Sequence, residues 1–247
     1  MKKELKISLV VIFLTFNACA LYAQDSLIER ILSVRESIVH IKAIQTNIYK
    51  NPQASAAINP KTGKIVVSQR ARRAYSQKKG AGIILNNEGL IVTNLHTIRG
   101  AEKITVEFFN EKVLSAKVVK LMSKHDLALL KVEADFNLKP IKFYDSNNIK
   151  LKDKVIHISS SEILNNTISS GIIRGLGTST IKNSKPAVEL IKISINMYKG
   201  DSGGPILNED GQLIGIIVAK QRKKQRVSFA IPSNKIKKLY LHFIKEL

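Results

Sequence analysis

Between residues 37 and 231 the chain is a succession of short runs rich in Ile, Val and Leu, each closed by Gly, Asn, Asp or Pro. Runs of this length between turn formers read as strands. No helical repeat separates one run from the next, so alternating β/α units are excluded and closed or stacked antiparallel sheets remain. A first series covers 81–85, 90–93, 104–109, 113–121 and 127–132 and is preceded by Ser37-Ile38-Val39-His40-Ile41. A second covers 155–158, 167–173, 188–193, 205–207, 213–218 and 227–231, with Lys139-Pro140 as the linker between them. The expected class is all-β, with one β domain over 37–136 and another over 141–233.

The two ends differ from this pattern. Lys2, Lys3 and Lys6 precede the apolar stretch 7–16, and Ala18, Ala20 and Ala23 follow it. A basic start, a short apolar run and small residues make a secretory signal over 1–23, and the run is shorter than the about 20 residues of a membrane span. Cys19 is the only cysteine and lies inside this signal. Cleavage after Ala20 or Ala23 removes it and leaves no disulfide, while Phe16-Asn17-Ala18-Cys19 is a poor likeness of a lipoprotein cleavage site. Ser26-Leu27-Ile28-Glu29 has capping-box form, which predicts a short N-terminal helix over 24–36. Ile236, Leu239, Tyr240, Phe243, Ile244 and Leu247 mark one face of a C-terminal helix over 234–247, with Ser233 as its N-cap.

Charge constrains partners rather than fold. The 247 residues carry a formal net charge of +21, a balance that attracts acidic proteins, anionic envelope surfaces or polyanions. Two clusters concentrate it. The segment 51–79 holds Lys61, Lys64, Arg70, Arg72, Arg73, Lys78 and Lys79 with no acid, and is expected as a long basic surface loop or arm. Lys220, Arg222, Lys223, Lys224 and Arg226 form the second. Each reads equally as a solvated loop or as a recruitment surface. Nucleic acid is disfavoured, because the predicted destination is outside the cytoplasm and no aromatic platform interleaves the charges.

The chemistry concentrates in Lys199-Gly200-Asp201-Ser202-Gly203-Gly204-Pro205. Glycines and a proline around one serine describe a backbone bent sharply enough to expose a hydroxyl, with amide donors turned toward the same point. A nucleophilic serine needs a base. Of the histidines, His40 and His157 alternate with aliphatics inside strands and read as packing or surface residues, and His242 sits on the terminal helix. His96 follows the apolar run Ile91-Val92-Thr93-Asn94-Leu95 and stands at a strand end, where an imidazole reaches a cleft. Asp126 opens the run Leu127-Ala128-Leu129-Leu130 and is the acid to orient it. The chain order His96, Asp126, Ser202 is one of the known orders of a catalytic triad.

On these stretches, together with Gly80-Ala81-Gly82-Ile83-Ile84-Leu85, Ser170-Gly171-Ile172-Ile173, Gly211-Gln212-Leu213-Ile214-Gly215-Ile216 and Phe229-Ala230-Ile231-Pro232-Ser233, the chain resembles trypsin-like serine proteases of the bacterial Deg/HtrA type. The resemblance spans 37–233. It implies a chymotrypsin-like double β-barrel, each barrel six-stranded, with short N-terminal and C-terminal helices and the site between the barrels. It also implies an oxyanion hole from the N–H groups of Gly200 and Ser202, and a substrate pocket near Asn196, Met197, Tyr198, Val218 and Ala219. No metal and no cofactor are expected.

Departures from the type sharpen the expectations. A C-terminal PDZ domain, usual in Deg/HtrA proteins, has no counterpart in the sequence. Asp201 replaces the more usual Asn and matches the trypsin branch, where a new N-terminus pairs with the acid. No convincing activation site is present, so the turn is expected to form without a cut, and Asp201 then needs another cation or several N–H donors. Asn196 stands where trypsins carry an acid, so cleavage after small or medium aliphatic residues is expected rather than after Arg or Lys. Ser159-Ser160-Ser161-Glu162 replaces a Gly-Asn-Pro-type turn.

The function expected is an exported serine endopeptidase that acts on protein substrates, in the periplasm or cell envelope, with envelope protein quality control as a setting. The competing reading is a catalytically silent protease-fold scaffold that binds polyanions or acidic proteins.

Overall fold

The computed structural model describes residues 29–30, 32–50, 55–58, 62, 65–68, 71–159, 167–179, 188–220 and 227–246. The segment 1–23 expected as a signal, with Cys19, the residues Ser160-Ser161-Glu162 and the basic run 221–226 lie outside them.

The first half is a seven-stranded antiparallel sheet in the order β7-β6-β1-β4-β5-β9-β8. Its strands are β1 (Ile38–Lys50), β4 (Ala71–Ile84), β5 (Leu90–Asn94), β6 (Lys103–Glu107), β7 (Val113–Ser115), β8 (Lys117–Met122) and β9 (Leu127–Lys131). The two edge strands, β7 and β8, are consecutive in the chain and separated by Ala116 alone, so the sheet must curl until its edges meet. The half-barrel is closed there by the covalent chain rather than by a ladder. The run 113–121, expected as one strand, therefore serves both edges, and counting it as one bent strand recovers the six expected.

The basic segment 51–79 needs a correction. It is not a loop throughout, because Ala71–Lys79 belongs to β4 and pairs with β1 from Lys42↔Lys79 to Lys50↔Ala71. A second hairpin, β2 (Ser55–Ile58) with β3 (Ile65–Ser68), lies between them. Arg72, Arg73, Lys78 and Lys79 gave the stretch Ala71–Lys79 the charge of a loop, and its apolar residues are too few to show the alternation of a strand.

The second half is a closed barrel, β10-β11-β12-β15-β14-β13. It comprises β10 (Lys154–Ile158), β11 (Ile168–Ser179), β12 (Val188–Ile193), β13 (Pro205–Leu207), β14 (Leu213–Lys220) and β15 (Ser228–Pro232). Six strands, each feeding alternate side chains inward, leave an interior filled by Ile173, Ile191, Ile193, Ile206, Ile214 and Ile217.

Three apolar clusters organise the molecule. Val39, Ile41, Ile84, Ile91 and Leu130 fill the first half-barrel. Ile83, Val92, Leu127, Leu129, Ile156, Ile158, Leu207, Ile216 and Ile231, drawn from both halves, form one cluster between them. The same strands serve both, with Leu90 and Val92 facing the partner barrel and Ile91 facing inward, so β5 is buried along its whole length. Burial on two faces explains why these strands read as unbroken apolar runs.

The linker is a strap rather than a tether. Ile141 N–H donates to the Ile84 carbonyl of the first half, and Lys142 accepts from Leu213 N–H of the second, at 3.0 and 2.8 Å. The C-terminal helix α2 (Ser233–Lys245) closes the inter-barrel cluster with Ile236 and Phe243. Ser233 is its first residue rather than its N-cap, a place taken by Pro232, and its hydroxyl donates to the Tyr144 carbonyl at 2.7 Å. No described helix is long and apolar enough to cross a membrane.

Candidate active site

His96 is placed by a short sequence of local requirements. β5 runs into a single helical turn, α1 (Leu95–Ile98), whose Leu95, Thr97 and Ile98 are buried. That leaves His96 as the partly exposed member, 23% accessible at the side chain. The start of the turn is tied to a neighbouring corner, because Leu95 N–H and the Asn94 side-chain amide both donate to the Asp126 carbonyl, at 2.9 and 3.2 Å.

Asp126 ends the 3-10 turn Ser123–His125 in the left-handed region, φ 52° and ψ 39°. Short polar side chains tolerate that region better than most. Its carboxylate then reaches His96 twice: Oδ2 lies 2.5 Å from Nδ1, and Oδ1 accepts the His96 backbone N–H at 2.9 Å. A carboxylate accepts, so the proton resides on Nδ1 and the Nε2 lone pair points the other way. With both oxygens engaged by one residue, the ring is held in position and tautomer.

Ser202 comes from the other half. Its turn is built by Asp201 N–H to the Tyr198 carbonyl, Gly204 N–H to the Asp201 carbonyl and Gly203 N–H to the Ile217 carbonyl, at 3.2, 2.9 and 3.0 Å. The turn docks directly on the first half, since the Ser202 carbonyl accepts from Ala81 N–H of β4 at 2.8 Å. Close approach of two backbones explains the flanking glycines. A Cβ at Gly80 would sit 2.9 Å from the Ser202 oxygen, and one at Gly203 would sit 2.2 Å from the Ala81 oxygen. The structure thus brings His96 against Asp126 and seats the Ser202 turn on the strand that leads toward them. Among the described residues no hydrogen bond joins the Ser202 hydroxyl to the His96 ring.

The expected pocket residues are less convergent. Asn196 and Tyr198 are exposed, the latter 42%. Met197 is half-buried against the second barrel's interior, whereas Val218 is buried in the cluster between the barrels. Val218 follows the plain alternation of β14, in which Ile216 and Val218 face the cluster between the barrels while Ile217 faces the interior that Met197 joins. Among the described residues no group of His, Cys, Asp and Glu converges to hold a metal ion.

The profile of the trypsin-like peptidase domain matches residues 80–216, more than half of the chain. The chain belongs to the trypsin-like peptidase family. A Haemophilus influenzae protein described as a probable periplasmic serine protease do/HhoA-like is 37% identical over 164 residues, 65% of this chain and 35% of its own length. A Buchnera aphidicola protein described as a probable serine protease do-like is 34% identical over 170 residues, 67% of this chain and 35% of its own. The chain thus spans about a third of the length of these curated relatives. A solved HtrA-type protease, AlgW with decapeptide, shares the fold at a TM-score of 0.70 and 23% identity, covering 89% of this chain and 67% of that one.

Within this trypsin-like peptidase domain the structure also answers what Asp201 pairs with. The carboxylate is fully buried. Oδ1 accepts the Ser159 hydroxyl at 2.6 Å, Oδ2 accepts Tyr198 N–H at 2.7 Å, and His157 Nε2 stands 3.5 Å from Oδ1. Burial alone would raise this carboxyl, but His157, Ser159 and the Tyr198 amide together hold it below its ordinary value. His157, read from sequence as packing or surface, is a buried partner of the acid. Ser159, in the replaced turn, is another. The available signal was Asp201 itself, whose need for a cation or donors was legible while their source was not.

A stability consequence follows from the sign of that shift. A carboxyl held below its unfolded value contributes stability that is complete above about pH 3.8 and is lost as pH falls through the lower folded value. Thermal melts between pH 5 and about pH 2 should therefore fall more steeply for the native chain than for Asp201→Asn. Equal slopes would mean that Asp201 titrates alike folded and unfolded.

Proposed function

We propose that this chain is an exported serine endopeptidase that hydrolyses peptide bonds of protein substrates through Ser202, His96 and Asp126. The observation that carries the reading is the double engagement of His96 by Asp126, which leaves Nε2 as the available base beside the docked Ser202 turn. In this reading Nε2 takes the Ser202 proton as Oγ attacks the scissile carbonyl. Asp126 stabilises the imidazolium that forms. The proton then passes to the leaving amine, and water hydrolyses the acyl-enzyme by the same route in reverse. Hydrogen bonds between such a nucleophile and base are often long before substrate arrives, which accommodates the open Ser202–His96 geometry.

The oxyanion is assigned to the N–H groups of Gly200 and Ser202. Gly200 adopts φ 109°, a conformation that side chains resist, and the Ser202 N–H makes no hydrogen bond among the described residues. A donor aimed at developing charge lowers the barrier by about 3 kcal/mol. The deciding experiment is casein digestion by the purified protein beside Ser202→Ala, with N-terminal sequencing of the same sample to define the signal cleavage. Digestion by the native chain and none by the variant is expected; equal digestion by both would remove Ser202 from the chemistry.

Export to the periplasm or envelope is supported by the N-terminal signal and by relatives described as periplasmic. The net charge of +21 supports recruitment of acidic proteins or an anionic envelope surface. Turnover of acidic substrates should accordingly weaken as salt rises past about 0.1 M, where the screening length falls to about 10 Å. Kinetics indifferent to salt would separate the charge from substrate capture.

A further inference from the structure

His157 lies on β10 with its side chain 1% exposed, parallel in orientation to Val155 and so directed toward the interior face of the second barrel. Its two ring nitrogens face two acceptors. Nδ1 is 2.9 Å from the Pro205 carbonyl oxygen, which can only accept, so Nδ1 carries a proton. Nε2 is 3.5 Å from Asp201 Oδ1 and has no closer polar partner among the described residues. A neutral ring protonated on Nδ1 would aim a bare lone pair at a buried carboxylate, leaving Nε2 without a partner and the acid without a counter-charge. A ring protonated on both nitrogens satisfies the carbonyl and pairs with the acid.

The two contacts bracket the nucleophile. Asp201 immediately precedes Ser202, and Pro205 ends the turn and begins β13. Gly204 lies against the ring between them, where an added Cβ would come 3.1 Å from His157 Cε1. The other surroundings are uncharged: opposite His157 stand Ser169 on β11 and Ile206 on β13, and the Ser159 hydroxyl binds the same carboxylate. Asp201 is the one charged group recorded against the imidazole among the described residues.

We propose that His157 is a positioning residue for the nucleophile, a buried imidazolium that ties Asp201 and Pro205, the two flanks of Ser202, to β10 and supplies the counter-charge for Asp201. The cation comes from within the second barrel. The kinetic part of this inference rests on Ser202 being the nucleophile; the protonation state does not.

The test has two arms on the full chain. In the first, nuclear magnetic resonance of histidine-labelled protein at neutral pH reads the ring nitrogens of His157. Protons on both nitrogens are expected in the native chain, with loss of the Nε2 proton in Asp201→Asn. A single neutral tautomer in the native chain overturns the proposal whatever the enzyme does. In the second, His157→Ala, which strands the carboxylate, should lower kcat/KM by about 100-fold. Adding Asp201→Asn to the same chain should recover at least about tenfold of that, because the stranded charge is then gone. His157→Ala within twofold of the native kcat/KM, or no recovery in a folded double variant, overturns it. If His157→Ala does not fold, folding of the double variant supports the proposal and its failure to fold overturns it. If the native chain shows no turnover, the serine-protease reading fails while the first arm still decides this one.

Discussion

Asp126→Asn is expected to lower kcat/KM by about 10⁴ with only a modest loss of stability, about 2 kcal/mol or less. The geometry separates the two effects. Position 126 needs a residue that accepts φ 52°, and Asn accepts it as readily as Asp. The corner, and the Leu95 and Asn94 bonds to its carbonyl, should therefore persist. What changes is the face offered to His96. An amide that keeps its oxygen on the His96 backbone N–H must turn its NH₂ toward Nδ1, where the carboxylate Oδ2 now stands 2.5 Å away. The ring would then have to accept at Nδ1 and carry its proton on Nε2, which is the wrong tautomer for a base. Peptide turnover measured beside a thermal melt checks both halves of the expectation. Activity within tenfold of the native chain would show that the imidazole is oriented by something else.

Gly203→Ala should cost about 3 kcal/mol or more and reduce turnover at least about 100-fold. Position 203 has φ 89°, which strains any residue with a Cβ. That Cβ would also lie 2.2 Å from the Ala81 oxygen and 2.8 Å from Thr93 Oγ1. Neither neighbour can retreat easily. The Ala81 oxygen accepts from Thr93 Oγ1 at 2.7 Å, and Ala81 sits in the β1–β4 ladder. Relief would come from lifting the turn off β4, which breaks the bond from Ala81 N–H to the Ser202 carbonyl and carries the hydroxyl away from His96. Gly177→Ala is the control, since an added Cβ there meets nothing within 4 Å. It should change stability by less than about 0.5 kcal/mol. If denaturant unfolding shows the two variants alike, the docking contact does not bear on stability.

Legibility followed burial. Strands such as β5, β9 and β14, covered by the core on one side and the partner barrel on the other, announced themselves as apolar runs. The paired stretch of β1 and β4 beyond residue 44 did not, because Arg72, Arg73 and Lys78 give its sequence charge where a strand would show an apolar period. His96 and Asp126 could be placed together because each stands at the mouth of an apolar strand, and β5 pairs with β9 from Asn94↔Leu127 onward. His157 could not. An imidazole between Ile156 and Ile158 reads as filler until the chain some 45 residues later folds back on β10 and sets Asp201 and Pro205 beside it.

Local chemistry, legible along the chain, was enough for the strand class, for the glycine-bounded serine and for the order of its three candidate catalytic residues. Those are statements about neighbours in sequence, where steric freedom, periodicity and capping act over a few bonds. Which acceptors a buried imidazole meets, which glycine touches a strand of the other barrel, and which face of a strand packs between the two barrels are matters of contact between distant segments. They exist only once the two halves have closed on their shared apolar cluster, because it is that burial which brings the polar groups within bonding distance and removes the water that would otherwise have served them.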